Sequence, residues 1–104
     1  MRQIADKDFG EVVLKNEKVV LLDAFATWCG PCKMLVPVLE ELETTTNDWL
    51  EIIKVNVDEA DEVAASLQVT GIPALFVFKN GELVGKTMGY QSLQELTDFV
   101  GKYR

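Results

Sequence analysis

Ala26-Thr27-Trp28-Cys29-Gly30-Pro31-Cys32-Lys33 holds both cysteines of the 104-residue chain. An apolar, β-branched run, Val19-Val20-Leu21-Leu22, precedes it and closes on Asp23-Ala24-Phe25. Residues of helical period follow it: Met34, Leu35, Val38, Leu39 and Leu42. The two thiols therefore fall where a buried strand ends and a helix begins. That junction organises the rest of the reading, and the alternation of strands and helices around it gives an α/β fold.

Cysteines three positions apart on a first helical turn lie on one face, close enough for their sulfurs to bond with little backbone movement. The N-terminus of a helix offers unpaired N–H groups and the positive end of the macrodipole. Both favour a thiolate over a thiol, and Cys29 is the nearer to that end. Thiolate is the attacking species in disulfide exchange, so Cys29 is the expected nucleophile and Cys32 the resolving thiol. Gly30 permits close approach of another chain. Pro31 suits a first turn, having a fixed φ and no N–H to leave unpaired. Trp28 places a flat apolar surface beside the sulfurs. Two blander readings exist. As a structural staple, a loop this short removes only about 2 kcal/mol of unfolded-chain entropy, a poor use of the only two cysteines. A zinc site within one chain lacks its ligand set, with two Cys and no His; a metal bridging two chains stays open.

Composition narrows the function classes. The formal net charge of −7 argues against nucleic-acid and anionic-membrane binding. The absence of His removes Ser-His, Cys-His and imidazole-metal chemistry. No apolar h-region follows Met1-Arg2-Gln3-Ile4-Ala5-Asp6, and no run has the length of a membrane span. A cytosolic location is expected, where a lone C-x-x-C is catalytic more often than structural. The length fits one domain, residues 1–104, burying roughly 65% of its unfolded surface.

Along the chain, Arg2 to Ala5 is a candidate edge strand. Asp6 or Asp8 is placed to cap a helix carrying Phe9, Val12 and Val13 and ending near Asn16. Lys18 to Phe25 reads as a central strand buried on both faces. The next helix is expected from Pro31 to Thr44, kinked at Pro37. Leu50 to Val57 is β-rich, and Asp58 to Leu67 has helical composition with capping acids. Ala74 to Lys79 and Glu82 to Met88 flank Asn80-Gly81, a strong hairpin signal, and Gly89 marks a bend or bulge. Ser92 with Glu95 three positions on forms a capping-box pattern before a helix with Leu93, Leu96, Phe99, Val100 and Tyr103 on one face. Strands alternating with helices and closing on one hairpin predict a mixed sheet covered on both faces.

Asp23 interrupts an apolar run six residues before Cys29. Buried, its carboxylate titrates high and can exchange protons with Cys32, directly or through a water; exposed, it is an ordinary strand-end acid. Lys54, within Ile52-Ile53-Lys54-Val55, reads either as a charge partner of Asp23 or as a snorkelling strand lysine. Gly71 and Gly89 both satisfy plain turn chemistry.

Trp28-Cys29-Gly30-Pro31-Cys32-Lys33 resembles the active-site motif of the thioredoxin family, and the resemblance extends along nearly the whole chain. It implies the thioredoxin fold: a central mixed five-stranded sheet of order 1-3-2-4-5 flanked by four helices. It also implies a redox-active Cys29–Cys32 disulfide with no other cofactor and no metal. The resemblance assigns Asp23 as a buried acid near Lys54, and gives a cis Ile72–Pro73 bond facing the cysteines. Ile72 backbone groups would pair an extended substrate, with Trp28, Gly30, Pro31, Gly71, Pro73 and Gly89 forming the surrounding apolar surface. The implied activity is reduction of disulfides in client proteins, and the implied electron donor is an NADPH-dependent flavoprotein thioredoxin reductase. A monomer is expected. The chain itself has no Gly-x-Gly-x-x-Gly dinucleotide motif. Three positions depart from the family pattern: Phe25 where a second tryptophan is frequent, Thr70 where a basic residue is, and Ala74 where threonine is. The competing functional class is a non-catalytic subunit that holds a partner protein in the same groove.

Overall fold

The computed structural model describes residues 1–104. Its sheet has five strands, β1 (Arg2–Ile4), β2 (Val19–Phe25), β3 (Leu50–Asn56), β4 (Ala74–Lys79) and β5 (Glu82–Met88). Their order is β1-β3-β2-β4-β5, as the resemblance implied. β2 runs parallel to β3 and antiparallel to β4, and β1 lies parallel to β3. Three regular helices accompany it: α1 (Gly30–Thr46), α2 (Asp61–Ser66) and α3 (Leu93–Gly101).

The pleat of β2 sorts its side chains between two cores. Val20, Leu22 and Ala24 join Ile53, Val55, Phe76, Phe78 and Val63 under α2 and the N-terminal segment. Val19 and Leu21 join Ile52, Leu75, Val77, the Leu35-Leu39-Leu42 stripe of α1, and Leu96 and Val100 of α3. A strand buried on both sides must be apolar throughout, and six of its seven residues are. The exception, Asp23, follows Leu21 by two positions and so points to the side of the sheet that α1 and α3 cover.

Three expectations change. The helix expected between Asp6 and Asn16 is a 3-10 turn, Asp6–Asp8, followed by a π-helical turn, Gly10–Leu14. The Lys15 N–H reaches back to the Gly10 carbonyl at 3.1 Å, which widens the turn and aims Phe9, Val12 and Val13 at the first core. Asp8 accepts from the Ala5 N–H at 3.0 Å, whereas Asp6 does not cap its own segment. Its carboxylate accepts from the Val63 and Glu62 N–H groups at 2.9 and 3.3 Å, capping α2. That helix starts at Asp61 rather than Asp58, and its N-cap residue, Ala60, makes no side-chain cap bond of its own.

α1 runs to Thr46, past the expected stop at Thr44, because all three threonines turn their hydroxyls back to helix carbonyls, of Glu41 and Leu42. It continues through Pro37, which lies on the exposed face where the missing N–H leaves a carbonyl to water. The chain bends at Gly89, as expected, and the last hairpin carries a further irregularity between Val77 and Phe78 of β4 as they pair with β5. Asn80 and Gly81 carry φ of 53° and 81°, the two left-handed residues that a tight I′ hairpin needs. At Gly81 a side chain would also meet the Leu14 carbonyl oxygen at 2.9 Å.

Candidate redox site

β2 delivers the chain to the carboxyl edge of the sheet, and Ala26 to Trp28 turn it into α1. Cys29 stands at the N-cap position of that helix with extended backbone, φ −88° and ψ 111°. Its sulfur takes the place of a capping oxygen and accepts from the Cys32 N–H at 3.2 Å. Pro31 occupies the first turn, where no donor is lost that the helix would have used. Cys29 and Cys32 are joined as a disulfide with Cα atoms 5.2 Å apart. Both are largely shielded, 5% and 2% exposed, and pack with Ala26, Phe25, Val57 and Ile72.

Opposite the sulfurs, the peptide bond between Ile72 and Pro73 is cis. The Ile72 carbonyl oxygen lies 3.9 Å from the Cys29 sulfur. Neither the N–H nor the C=O of Ile72 takes part in a backbone hydrogen bond, although the neighbouring Pro73 carbonyl accepts from Gly89 at 2.8 Å. Gly89 holds a φ of 92°, which a side chain would strain. Gly71 lies close beneath Met88: a Cβ there would come within 2.9 Å of the methionine sulfur. Gly30 is exposed with open space where a side chain would be. Trp28 is 69% exposed, the most exposed large apolar side chain of the chain, and Met34, Met88 and Tyr90 are exposed as well.

Trp28 is nevertheless held in place. Its indole N–H donates to the Asp58 carboxylate at 2.8 Å. Asp58 was legible in the sequence only as a helix-capping acid; thirty positions separate it from the tryptophan, and no local pattern links them. Asn56 aims it, since the Asn56 side chain accepts from the Asp58 N–H at 2.9 Å and donates to Glu59 at 3.1 Å.

Asp23 is fully buried, and neither carboxylate oxygen has a hydrogen-bond partner. Burial pushes its carboxyl up to about 6, against a smaller downward pull from the Lys54 charge. Lys54 is its direct partner across the β2–β3 ladder, yet the two form no ion pair. The Lys54 ammonium sits instead over the Phe25 ring, 4.3 Å from its centroid. A recess of about 250 Å³ opens here, lined by Phe25, Thr27, Cys32, Lys33, Val36 and Lys54. A second cavity, of about 290 Å³ between the Leu67–Gly71 connection and β5, contains neither cysteine. No group of three or more His, Cys, Asp or Glu is arranged to hold a metal, and no helix is long and apolar enough to cross a membrane.

A shielded cysteine pair at a helix start on a five-stranded α/β scaffold is the arrangement of a thiol–disulfide oxidoreductase. The comparisons agree along the chain. The thioredoxin family model matches residues 1–102. Thioredoxin of Listeria monocytogenes is 41% identical over 103 residues, covering 99% of this chain and 98% of that protein. Thioredoxin of Bacillus subtilis is 47% identical over 88 residues, 85% of each chain, and that of Staphylococcus haemolyticus is 43% identical over 101 residues, 97% and 95%. The chain belongs to the thioredoxin family and is a protein-disulfide oxidoreductase.

Proposed function

We propose that this protein reduces disulfide bonds in other proteins, with Cys29 as nucleophile and Cys32 as resolving thiol. In the dithiol form, the Cys29 thiolate attacks one sulfur of a client disulfide. A Cys29–client bond forms, the client disulfide breaks, and the second client sulfur leaves as thiolate. Cys32 then loses its proton and attacks the Cys29 sulfur. The mixed disulfide breaks, the Cys29–Cys32 bond forms, and the client leaves fully reduced. Two electrons pass from the cysteine pair to the client. Asp23 takes up the Cys32 proton, directly or through a water in the recess, as a buried carboxyl titrating near 6 is suited to do.

The observation that carries this reading is the pairing of a shielded Cys29 sulfur with an Ile72 peptide that makes no backbone hydrogen bond and whose carbonyl oxygen lies 3.9 Å away. An extended client segment can satisfy both Ile72 backbone groups as a short added strand and thereby bring its disulfide to Cys29. Trp28, Gly30, Pro31, Gly71, Pro73 and Gly89 make the apolar floor and walls for that segment, and Lys54 tunes Asp23. The cysteine pair is the only redox group required. An NADPH-dependent flavoprotein thioredoxin reductase returns it to the dithiol, and the protein works as a cytoplasmic monomer.

Turbidity from insulin reduced by dithiothreitol tests the reading directly. The protein at catalytic concentration should shorten the lag severalfold, and Cys32→Ser should accumulate mixed disulfides that Cys29→Ser does not. Absence of both effects favours a non-catalytic subunit that holds a partner against the same exposed Trp28 surface.

A further inference from the structure

Lys54 has two neighbours on β2 on its own face of the sheet. Asp23 lies directly across the ladder and Phe25 lies on the diagonal. A lysine opposite a buried carboxylate is expected to form an ion pair, and this one does not. Its ammonium caps the Phe25 ring at 4.3 Å, at the edge of the recess that reaches Cys32. The half-buried ring faces solvent on one side, so the cation stays partly hydrated there, whereas moving onto Asp23 would strip its water. Leu75 faces Asp23 from β4, Lys33 of α1 lines the same recess as Lys54, and Lys54 is the one charge that pulls on the carboxyl.

We propose that Phe25 is a positioning residue: its ring holds the Lys54 ammonium off the Asp23 carboxylate, leaving that carboxylate buried and unpaired. The bearing of this on turnover rests on the role of Asp23 proposed above; the competition between ring and carboxylate for one cation does not. Such a device is a switch in side-chain geometry. With the ring present, Asp23 is free to accept a proton from Cys32, the role proposed for it above. With the ring absent, Lys54 locks Asp23 as a charged pair, a poor base near neutrality.

The disulfide form of the full chain provides the test, because neither cysteine titrates in it. The Asp23 carboxyl carbon is followed by NMR against pH, and the Lys54 ε-methylene protons are followed for ring-current displacement. In the wild-type protein Asp23 should titrate at about 6 and the Lys54 protons should be shifted upfield by the ring. Phe25→Trp keeps an aromatic face and should preserve both signals. Phe25→Leu should abolish the upfield shift and lower the Asp23 midpoint by about one pH unit, the pull of a close opposite charge. Better hydration of Asp23 in the smaller side chain's presence would lower it too, and the double variant Phe25→Leu/Lys54→Met separates the causes. If the ring acts through the lysine, the double variant titrates no lower than Lys54→Met alone. An Asp23 midpoint unmoved by Phe25→Leu, or a drop that survives removal of Lys54, overturns the proposal. Insulin reduction is measured in parallel: unchanged titrations with lost activity would implicate the client surface, and shifted titrations with full activity would remove Asp23 from the proton path while leaving the ring–lysine contact standing.

Discussion

The starts of α1 and α3 solve one problem in two ways. At α3, the Ser92 hydroxyl accepts from the Glu95 N–H at 3.2 Å and the Glu95 carboxylate accepts from the Ser92 N–H at 3.0 Å. The helix end has its oxygen cap and its negative charge in place, and those bonds hold the Glu95 carboxyl below its ordinary range. At α1 the cap is the Cys29 sulfur, a weak acceptor while it is part of a disulfide, and the first turn contains no acid. The charge that α3 carries permanently is one that α1 lacks until Cys29 ionises. The comparison teaches that the helix terminus holding the cysteine pair is left electrostatically incomplete, and that the Cys29 thiolate of the proposed mechanism would complete it.

The hardest blow to this contrast is Cys29→Ser, which keeps a capping atom and removes the sulfur proposed to attack the client disulfide. Disulfide reduction should fall at least roughly 10³-fold while the fold persists; retained activity would mean that the cap position is not where the chemistry starts. Next in size is the buried acid beside α1. Asp23 titrates above its unfolded value of 3.8, at about 6, so the native state holds an extra proton between those values and stability falls as pH rises through them. Asp23→Asn should therefore stabilise the protein by about 3 kcal/mol at about pH 8 and by almost nothing below about pH 4, as read from urea midpoints. Glu95 has the opposite sign: lowered in the folded protein, it adds stability above its unfolded value that is lost as pH falls through its folded one. Asp6→Ala should cost about 1–2 kcal/mol and expose the α2 amides to hydrogen exchange first. Ser92→Ala should cost about 1 kcal/mol with disulfide exchange unaffected. The smallest effect is the sharpest test. Lys33→Glu puts an acid in the first turn of α1, as at α3, and should slow alkylation of Cys29 at neutral pH about two- to fivefold.

Most of the strands could be read from residue order because local signals bound them, whereas their order in the sheet came from the family resemblance. Asn80-Gly81 closes the hairpin, Ser92 with Glu95 starts α3, and the Val19–Leu22 run has to be central. The cysteine pair and its helix were legible for the same reason: three positions on one turn is local geometry. The pieces that stayed hidden depend on partners far apart in sequence. Asp6 looks like a cap for the residues after it, and only folding brings it to the α2 amides 57 positions away. Asp58 reads as helical punctuation, and folding makes it the holder of Trp28. The Phe25–Lys54 contact escaped because periodicity puts Lys54 opposite Asp23, and charge alone favours that pair; a ring two residues further along the strand takes the lysine. The N-terminal segment was misjudged for a different reason. Its spacing of Phe9, Val12 and Val13 fits a helix of any pitch, and composition does not separate a π turn from an α turn.

The borrowed cap of α2 reaches further than that helix. Six residues long, α2 has no beginning of its own making, and the connection it feeds leads straight to Gly71, Ile72 and the cis proline. The lip of the cleft is thus moored to the opening residues of the polypeptide. Loosening that mooring, by a change in the first strand or the turn after it, would be felt as a client that no longer sits squarely over the sulfurs, in a molecule whose cysteines and buried acid were never touched.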